Sequence, residues 1–315
     1  MAASLFFSSC AEDGGIYHYV LQNGKLTLRS FTSCDRPMYT ITEEKHLWVL
    51  LRDCFDDHTS GLQEYEILDS GVLMPIGELI STKGIVACHL CRFHEKIYAA
   101  NYLSGSIFSS DGVLDVHTGH GAHPGRQEAP HTHFIAPSPD RRFLLSTDLG
   151  LDSIFVYDKG LNVRSIAHVP AGHGVRHLAY ADDGMTVFAA NELGSTVSMF
   201  AYHDGQLTLR QTIPTLFYEH ENMPAAIRVR GEYVYVSNRG DDSISCLHWD
   251  QSGMELCSVT PCGGCWPRDF EIIEDAIFCT NEKSNTVTVL SVDGTKIKDT
   301  GERIAMKAPI CVTVN

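Results

Sequence analysis

The chain has 315 residues, with 24 Lys and Arg against 39 Asp and Glu, a formal charge of −15 with histidine neutral. Hydrophobic residues make up 43 % and charged residues 20 %, the balance of a soluble globular protein. The charge excludes a general nucleic-acid binder, which needs a basic footprint, and the apolar content excludes a disordered chain.

An acidic surface repels anions at long range, so an anionic substrate requires a local cluster of Arg or His. The stretch Met1 to Cys10 has no basic segment and only a short apolar run at Leu5, Phe6 and Phe7, so no export signal is expected. No run approaches the roughly 18 apolar residues of a membrane span. Of the eleven cysteines, several sit in apolar runs, as Cys246, Cys279 and Cys311 do. They are expected to be reduced, small hydrophobes in a cytoplasmic protein.

In chain order, the first strand-like run is Ser4-Leu-Phe-Phe7 and the next of its kind is Leu47-Trp-Val-Leu-Leu51. A repeated turn then becomes plain. It reads Asn101-Tyr-Leu-Ser-Gly-Ser-Ile107, Asp148-Leu-Gly-Leu-Asp-Ser-Ile154, Asn191-Glu-Leu-Gly-Ser-Thr-Val197, Asn238-Arg-Gly-Asp-Asp-Ser-Ile244 and Asn281-Glu-Lys-Ser-Asn-Thr-Val287. Stepping back by the same interval lands near Arg52 and Ser8. Seven copies of about 45 residues thus fill the chain.

Each copy has an apolar run before the Asn (Thr186-Val-Phe-Ala-Ala190), an alternating run after the turn (Thr196-Val-Ser-Met-Phe200) and a further strand (Leu207 to Ile213). Period-two alternation with closely spaced turns argues for all-β structure. The pattern predicts a seven-bladed β-propeller, four antiparallel strands per blade, as one domain over residues 1–315. The last segment, Ala308 to Val314, reads like the first strand of a blade, as Pro267 to Ile273 does. It is predicted to complete the N-terminal blade and close the ring, leaving no open sheet edge there.

In such a ring, the start of each innermost strand and the turn after the second strand share one mouth of the channel. Alignment on the repeat places Tyr39, His89, His133, His177, Ala226, Asp269 and Cys311 at the strand starts. Met38, Cys88, Thr132, Arg176, Ala225, Arg268 and Ile310 precede them. The position after the repeat residue reads Ser9, Asp53, Tyr102, Leu149, Glu192, Arg239 and Glu282. His, Arg and carboxylates gathered at one mouth make a pocket able to hold an anion and move protons. The repeat Asn or Asp itself is expected to be a turn residue that satisfies nearby backbone. Three imidazoles also suit zinc. Cys88-x-x-Cys91 and Cys262-x-x-Cys265 have zinc-ligand spacing but fall in blades that are not neighbours. Redox use of either pair lacks a thioredoxin-like βαβ context.

The run Thr118-Gly-His-Gly-Ala-His-Pro-Gly-Arg-Gln-Glu-Ala-Pro-His-Thr-His133, with Ser138-Pro-Asp140 and Asp148-Leu-Gly-Leu-Asp152 after it, resembles the most diagnostic stretch of the propeller-type lactonases. These are the seven-bladed 6-phosphogluconolactonases, which are similar to the fungal 3-carboxy-cis,cis-muconate lactonizing enzyme. Gly174-Val-Arg-His177, Asn191-Glu-Leu193 and Ser237-Asn-Arg-Gly-Asp-Asp-Ser243 also match. The resemblance spans the chain and is strong from about residue 118 to 290. The chain departs from the family in being shorter, in having Ser8-Ser-Cys-Ala11 for the usual Gly-Thr-Tyr-Thr turn, and in having Pro224-Ala-Ala226 where a Glu often follows the Ala.

Residue by residue, the resemblance implicates a His of the His131/His133 pair, Arg176, Glu192 and Arg239. It implies hydrolysis of 6-phospho-glucono-1,5-lactone to 6-phosphogluconate, a step of the oxidative pentose phosphate pathway. In that scheme His133 or Glu192 is the base, and Arg176 and Arg239 hold the oxyanion and a substrate anion. Arg126, Gln127, His131, His89, His177 and Arg268 are the expected substrate-binding groups. No metal or other cofactor is required, and the expected partner is a small anionic lactone or sugar acid, with no nucleic acid and no membrane. A nucleophilic serine is not expected, since no G-x-S-x-G elbow occurs. A muconate-type lactonizing or isomerizing enzyme would use the same arginines, and another sugar lactonase is the further alternative among enzymes. A non-catalytic interaction propeller is the alternative from another class, although Trp249-Asp250 is the one Trp-Asp dipeptide and lies outside the repeat turn.

Overall fold

The computed structural model describes residues 2–315. Among them, twenty-eight strands, numbered β1 to β28 in chain order, form seven four-stranded antiparallel sheets, and no helix is present. There is accordingly no helix long and apolar enough to cross a membrane. Each sheet is one blade. The innermost strands are β4 (Pro37–Glu43), β8 (Ala87–Phe93), β12 (Thr132–Pro137), β16 (Val175–Tyr180), β20 (Met223–Arg230), β24 (Pro267–Ile273) and β28 (Pro309–Val314). Each packs on the next around the axis, and β28 lies between β24 and β4, so the ring is closed.

Six blades use four consecutive strands. The seventh is composite, because β28 pairs with β1 (Ala3–Ser9) in the register Leu5 to Val314 and Phe7 to Val312. The chain therefore begins on the second strand of a blade that its last strand completes, as the sequence predicts.

The core lies between blades. Seven apolar clusters fill the seven gaps between neighbouring sheets. Alternation decides which gap a residue fills. In β1, Phe6 packs toward the second blade while Leu5 and Phe7 pack toward the last. All three are fully buried, and a side chain of this size contributes about 1.5–3 kcal/mol on burial. All eleven cysteines are free, six of them buried. Two of the repeat asparagines lie at the ends of second strands and bind hydroxyls of the third, not the nearby backbone expected of them: Asn191 Nδ2 donates to Thr196 Oγ1 (2.9 Å) and Ser198 Oγ (2.8 Å), and Asn238 Nδ2 to Ser243 Oγ (3.1 Å) and Ser245 Oγ (2.7 Å).

One irregularity recurs in every blade. Near its start, each innermost strand carries one more residue than its partner strand matches. The extra residue is Met38, Cys88, His133, Arg176, Arg268 or Ile310, and in β20 the pair Ala225-Ala226 faces one residue. A bulge of this kind re-aims a side chain where the strand leaves the ladder.

Removing residues 308–315 would leave β1 without its inner partner. The truncated chain is expected to lose the cooperative thermal transition seen by near-ultraviolet circular dichroism. Melting at the full-length temperature would contradict closure by β28.

Candidate active site

The bulges build one ring of side chains at a channel mouth, and the turns after the second strands build another. In six blades the residue after the repeat position donates its N–H to the carbonyl just ahead of the neighbouring bulge. The bonds run from Cys10 to Ala308 (3.0 Å), Arg52 to Arg36 (3.2 Å), Tyr102 to Val86 (3.0 Å), Leu149 to His131 (2.9 Å), Glu192 to Gly174 (2.8 Å) and Glu282 to Trp266 (3.1 Å). Arg239 takes the same place in the remaining blade, paired with Met223 ahead of the bulge.

This register corrects the sequence alignment in three blades. His133 sits in the bulge with Arg176, and Phe134 takes the layer of His89 and His177. Cys10 and Arg52, not Ser9 and Asp53, match Glu192 and Arg239. The first two blades have Ser9 and Leu51 at the repeat position, so no Asn marks their register there.

Glu192 is the hub. Its Oε1 accepts from Arg126 Nη2 at 2.6 Å and its Oε2 from Arg239 Nη2 at 2.5 Å. Arg176 Nε approaches Oε2 to 3.1 Å but is not aimed to donate. Arg176 is 2 % exposed, and its Nε and Nη1 are buried with no hydrogen-bond partner. Unpaired buried donors on a cation are costly, and here they lie beside the Glu192 carboxylate. Burial alone would raise the Glu192 acid, but Arg239 and Arg176, with His133 and Arg126, outweigh it and hold the carboxyl well below its usual range.

His133 stands beside this cluster. Burial, reinforced by Arg176, holds its imidazole well below the usual histidine range, so the ring is neutral at pH 7. Its Nδ1 is buried and unpaired. Its ring meets His177 edge-on, centroids 5.1 Å apart, and His177 meets His89 in the same way at 5.3 Å. His89 and His177 lie one layer below the mouth. His89 is fixed there against Tyr39 and Phe134, with Nδ1 accepting from the Ile135 N–H at 3.4 Å. Neither lines the mouth cavity; of the three histidines the bulge lifts only His133 to it. Among the described residues no group of three or more His, Cys, Asp or Glu is arranged to hold a metal ion. Ala226, where the resemblance marks a missing Glu, is fully buried between the last two consecutive blades.

The segment 117–131 delivers Arg126. Gln127 braces it: Nε2 donates to Leu149 O and Asp152 Oδ1, both at 2.7 Å, and Oε1 accepts from the His123 N–H at 2.8 Å. Those bonds use Gln127 within the fold, so its expected substrate contact is also corrected. His131 stacks on Tyr102 with centroids 4.7 Å apart and its N–H donates to Asp148 Oδ1 at 2.8 Å. It supports the wall of the cavity from behind. Asp152 also accepts from Gly174 N–H at 2.6 Å. Gly174 has φ of 61°, and a Cβ there would lie 2.6 Å from Leu193. That conformation aims its carbonyl at the N–H of Glu192.

The resulting cavity holds about 260 Å³, with Cys88, Tyr102, His133 and Glu192 in its wall and Arg52, Arg126, Arg239 and Arg268 around it. Arg239 also lies over the Trp266 ring, 5.6 Å from its centroid, and Arg268 Nη1 pairs with Glu282 Oε2 at 2.9 Å. Larger grooves run along the outer rim, one of about 620 Å³ around His18 and Arg29, but that groove lacks such a convergence of buried charge. Four of the expected residues, His133, Arg176, Glu192 and Arg239, thus meet at one mouth. Arg126 and Arg268 join them, and Arg52 is the cavity residue that sequence alignment missed.

Replacing Glu192 by Gln keeps the volume and removes the countercharge of three guanidiniums. It is expected to lower the free energy of unfolding by about 3–5 kcal/mol, the usual cost of breaking a buried ion pair from one side. Urea unfolding that matches the parent would contradict the hub.

The chain matches, over residues 4–314, the family described as lactonase, 7-bladed beta-propeller. An uncharacterized protein of Staphylococcus aureus strain USA300 is 31 % identical over 256 residues, covering 73 % of this chain and 74 % of that protein. Among solved structures, a periplasmic gluconolactonase of Pseudomonas aeruginosa gives a TM-score of 0.90 at 22 % identity, over 100 % of this chain and 99 % of that one. A candidate 6-phosphogluconolactonase of Bacteroides fragilis gives 0.92 at 23 %, over 100 % and 98 %. At these identities the solved structures establish a shared fold. With the family match covering nearly every residue, the chain belongs to the seven-bladed β-propeller lactonases.

Proposed function

We propose that the protein hydrolyses an anionic sugar lactone, with 6-phospho-glucono-1,5-lactone as the substrate. The observation that carries this reading is the mouth cavity, where four arginines converge on Glu192 and a neutral histidine, with the unpaired donors of Arg176 buried beside Glu192 just outside its lining. Lactone hydrolysis needs a base for water and a cation for the tetrahedral oxyanion. His133 supplies the first and Arg176, with Arg239, the second.

In the proposed sequence, His133 takes a proton from water as the water oxygen bonds to the ester carbonyl carbon. The carbonyl oxygen becomes an oxyanion held by the guanidiniums. The C–O bond to the ring oxygen then breaks, and the imidazolium returns its proton to the departing oxygen as a hydroxyl. The immediate product is an open-chain carboxylic acid, which releases its remaining proton to solvent as the carboxylate, and the histidine is again neutral. Glu192 is not the base in this scheme. Both Glu192 oxygens are already engaged, by Arg126 and Arg239, whereas His133 Nδ1 has no partner. The role of Glu192 is to neutralise and aim Arg126, Arg176 and Arg239. Eleven unpaired thiols favour a reducing compartment such as the cytoplasm.

Fresh lactone, assayed against its own spontaneous opening, tests the reading. The parent is expected to accelerate opening, and Arg176→Ala to lower kcat/KM by about 100-fold or more, the loss typical of an oxyanion donor. No acceleration by the parent would overturn the function, and near-normal turnover by the variant would remove Arg176 from it. The pH profile tests the base. Since His133 stays unprotonated well below its usual pKa, kcat/KM is expected to stay level from pH 8 down through the ordinary histidine range of about 6.5. An acid limb near that value would contradict His133 as described.

A further inference from the structure

We propose that Arg52 and Arg268 form a second anion subsite in the mouth cavity, and that Arg52 sets specificity for lactones carrying an anionic group remote from the ring ester. The proposal rests on the lactone reading above and deepens it.

The cavity has two positive poles. At one, Arg126, Arg176 and Arg239 surround the single carboxylate of Glu192. At the other, Arg52 and Arg268 are accompanied by the single carboxylate of Glu282, which pairs with Arg268. His133 and Cys88 stand between the poles, each within electrostatic reach of both Arg176 and Arg268. Each pole keeps an excess of positive charge after its internal pairing. A ligand with one negative group can balance only one of them.

Arg52 is the residue free to act. It follows the repeat position of its blade, as Glu192 and Arg239 do in theirs, so the same backbone geometry aims it at the mouth. It is exposed and lines the cavity. Its neighbour there is the thiol of Cys10, and no carboxylate lies within ion-pair distance of it among the described residues. A guanidinium with no partner, held at the rim of a cavity, suits a phosphate or carboxylate oxygen pair. With the ring ester at the Glu192 pole, an anionic substituent on the far end of the sugar would reach the Arg52 pole. Arg268 is already bonded to Glu282 and contributes mainly fixed charge, which leaves discrimination to Arg52.

The test compares the parent with Arg52→Gln on three ligand pairs. Calorimetric binding is measured for 6-phosphogluconate against gluconate. Hydrolysis is measured for the phosphorylated lactone against glucono-1,5-lactone, and for a carboxylate-bearing lactone against the same neutral one. In the variant, the preference for the member carrying the additional anionic group is expected to fall about 10- to 100-fold, the range of a lost charge-assisted hydrogen bond, with the loss in Kd or KM and not in kcat. Arg52 dependence confined to the phosphate arm or to the carboxylate arm identifies which anion the subsite takes. Equal losses on both members of a pair, or no loss on either, would overturn the subsite. If the parent hydrolyses no lactone yet shows the Arg52-dependent preference for 6-phosphogluconate, the lactonase reading fails and the anion subsite stands.

Discussion

The extra residue near the start of each innermost strand is the constraint on which the site depends. In every blade the ladder between the innermost strand and its partner breaks at the same place. The break turns one side chain per blade toward the mouth. Beside it, the position after the repeat residue is fixed by a backbone bond to the carbonyl ahead of the bulge. The fold therefore offers two rings of similarly aimed positions, and the identity of each side chain is left to function. Apolar Met38 and Ile310 occupy the first ring on one side, His133 and Arg176 on the other.

Chemistry gathers where charge is hardest to hold. A protein of net charge −15 concentrates five arginines around one mouth and gives them two carboxylates. Burying such a group is unfavourable unless each charge is met. Glu192 meets three of them, and it leaves two donors of Arg176 buried without a partner beside the cavity. Burial, together with the same crowd of cations, keeps His133 neutral at pH 7, with its ring nitrogen Nδ1 unpaired. Structure and function rest on one electrostatic arrangement, which is why Glu192 is as much a supporting group as a site residue.

Much of this was legible in the sequence. The repeated Asn turn carried the blade count, and the strand-like tail from Ala308 carried the closure. Glu192 and Arg239 were legible because each follows a recognisable Asn. What alternation could not reveal was the bulge, since one inserted residue leaves no mark in a pattern of apolar and polar positions. Thr132-His-Phe therefore aligned one residue out against Val175-Arg-His, which put His133 in the layer of His89 and His177. Arg52 was missed for a related reason: Leu51 stands where other blades have Asn or Asp, and nothing in the local sequence marks the turn. Gln127 looked like a binder because it adjoins Arg126, but its side chain is consumed by Leu149, Asp152 and His123.

The most direct measurement is a crystal structure of the protein with 6-phosphogluconate, the open-chain product. Its carboxylate is expected against Arg176 and His133, with no displacement of Glu192 from the arginines. A product molecule bound on the outer rim, or lying across the mouth without touching Arg176 or His133, would contradict the central claim that the bulged residues of neighbouring blades form the active site.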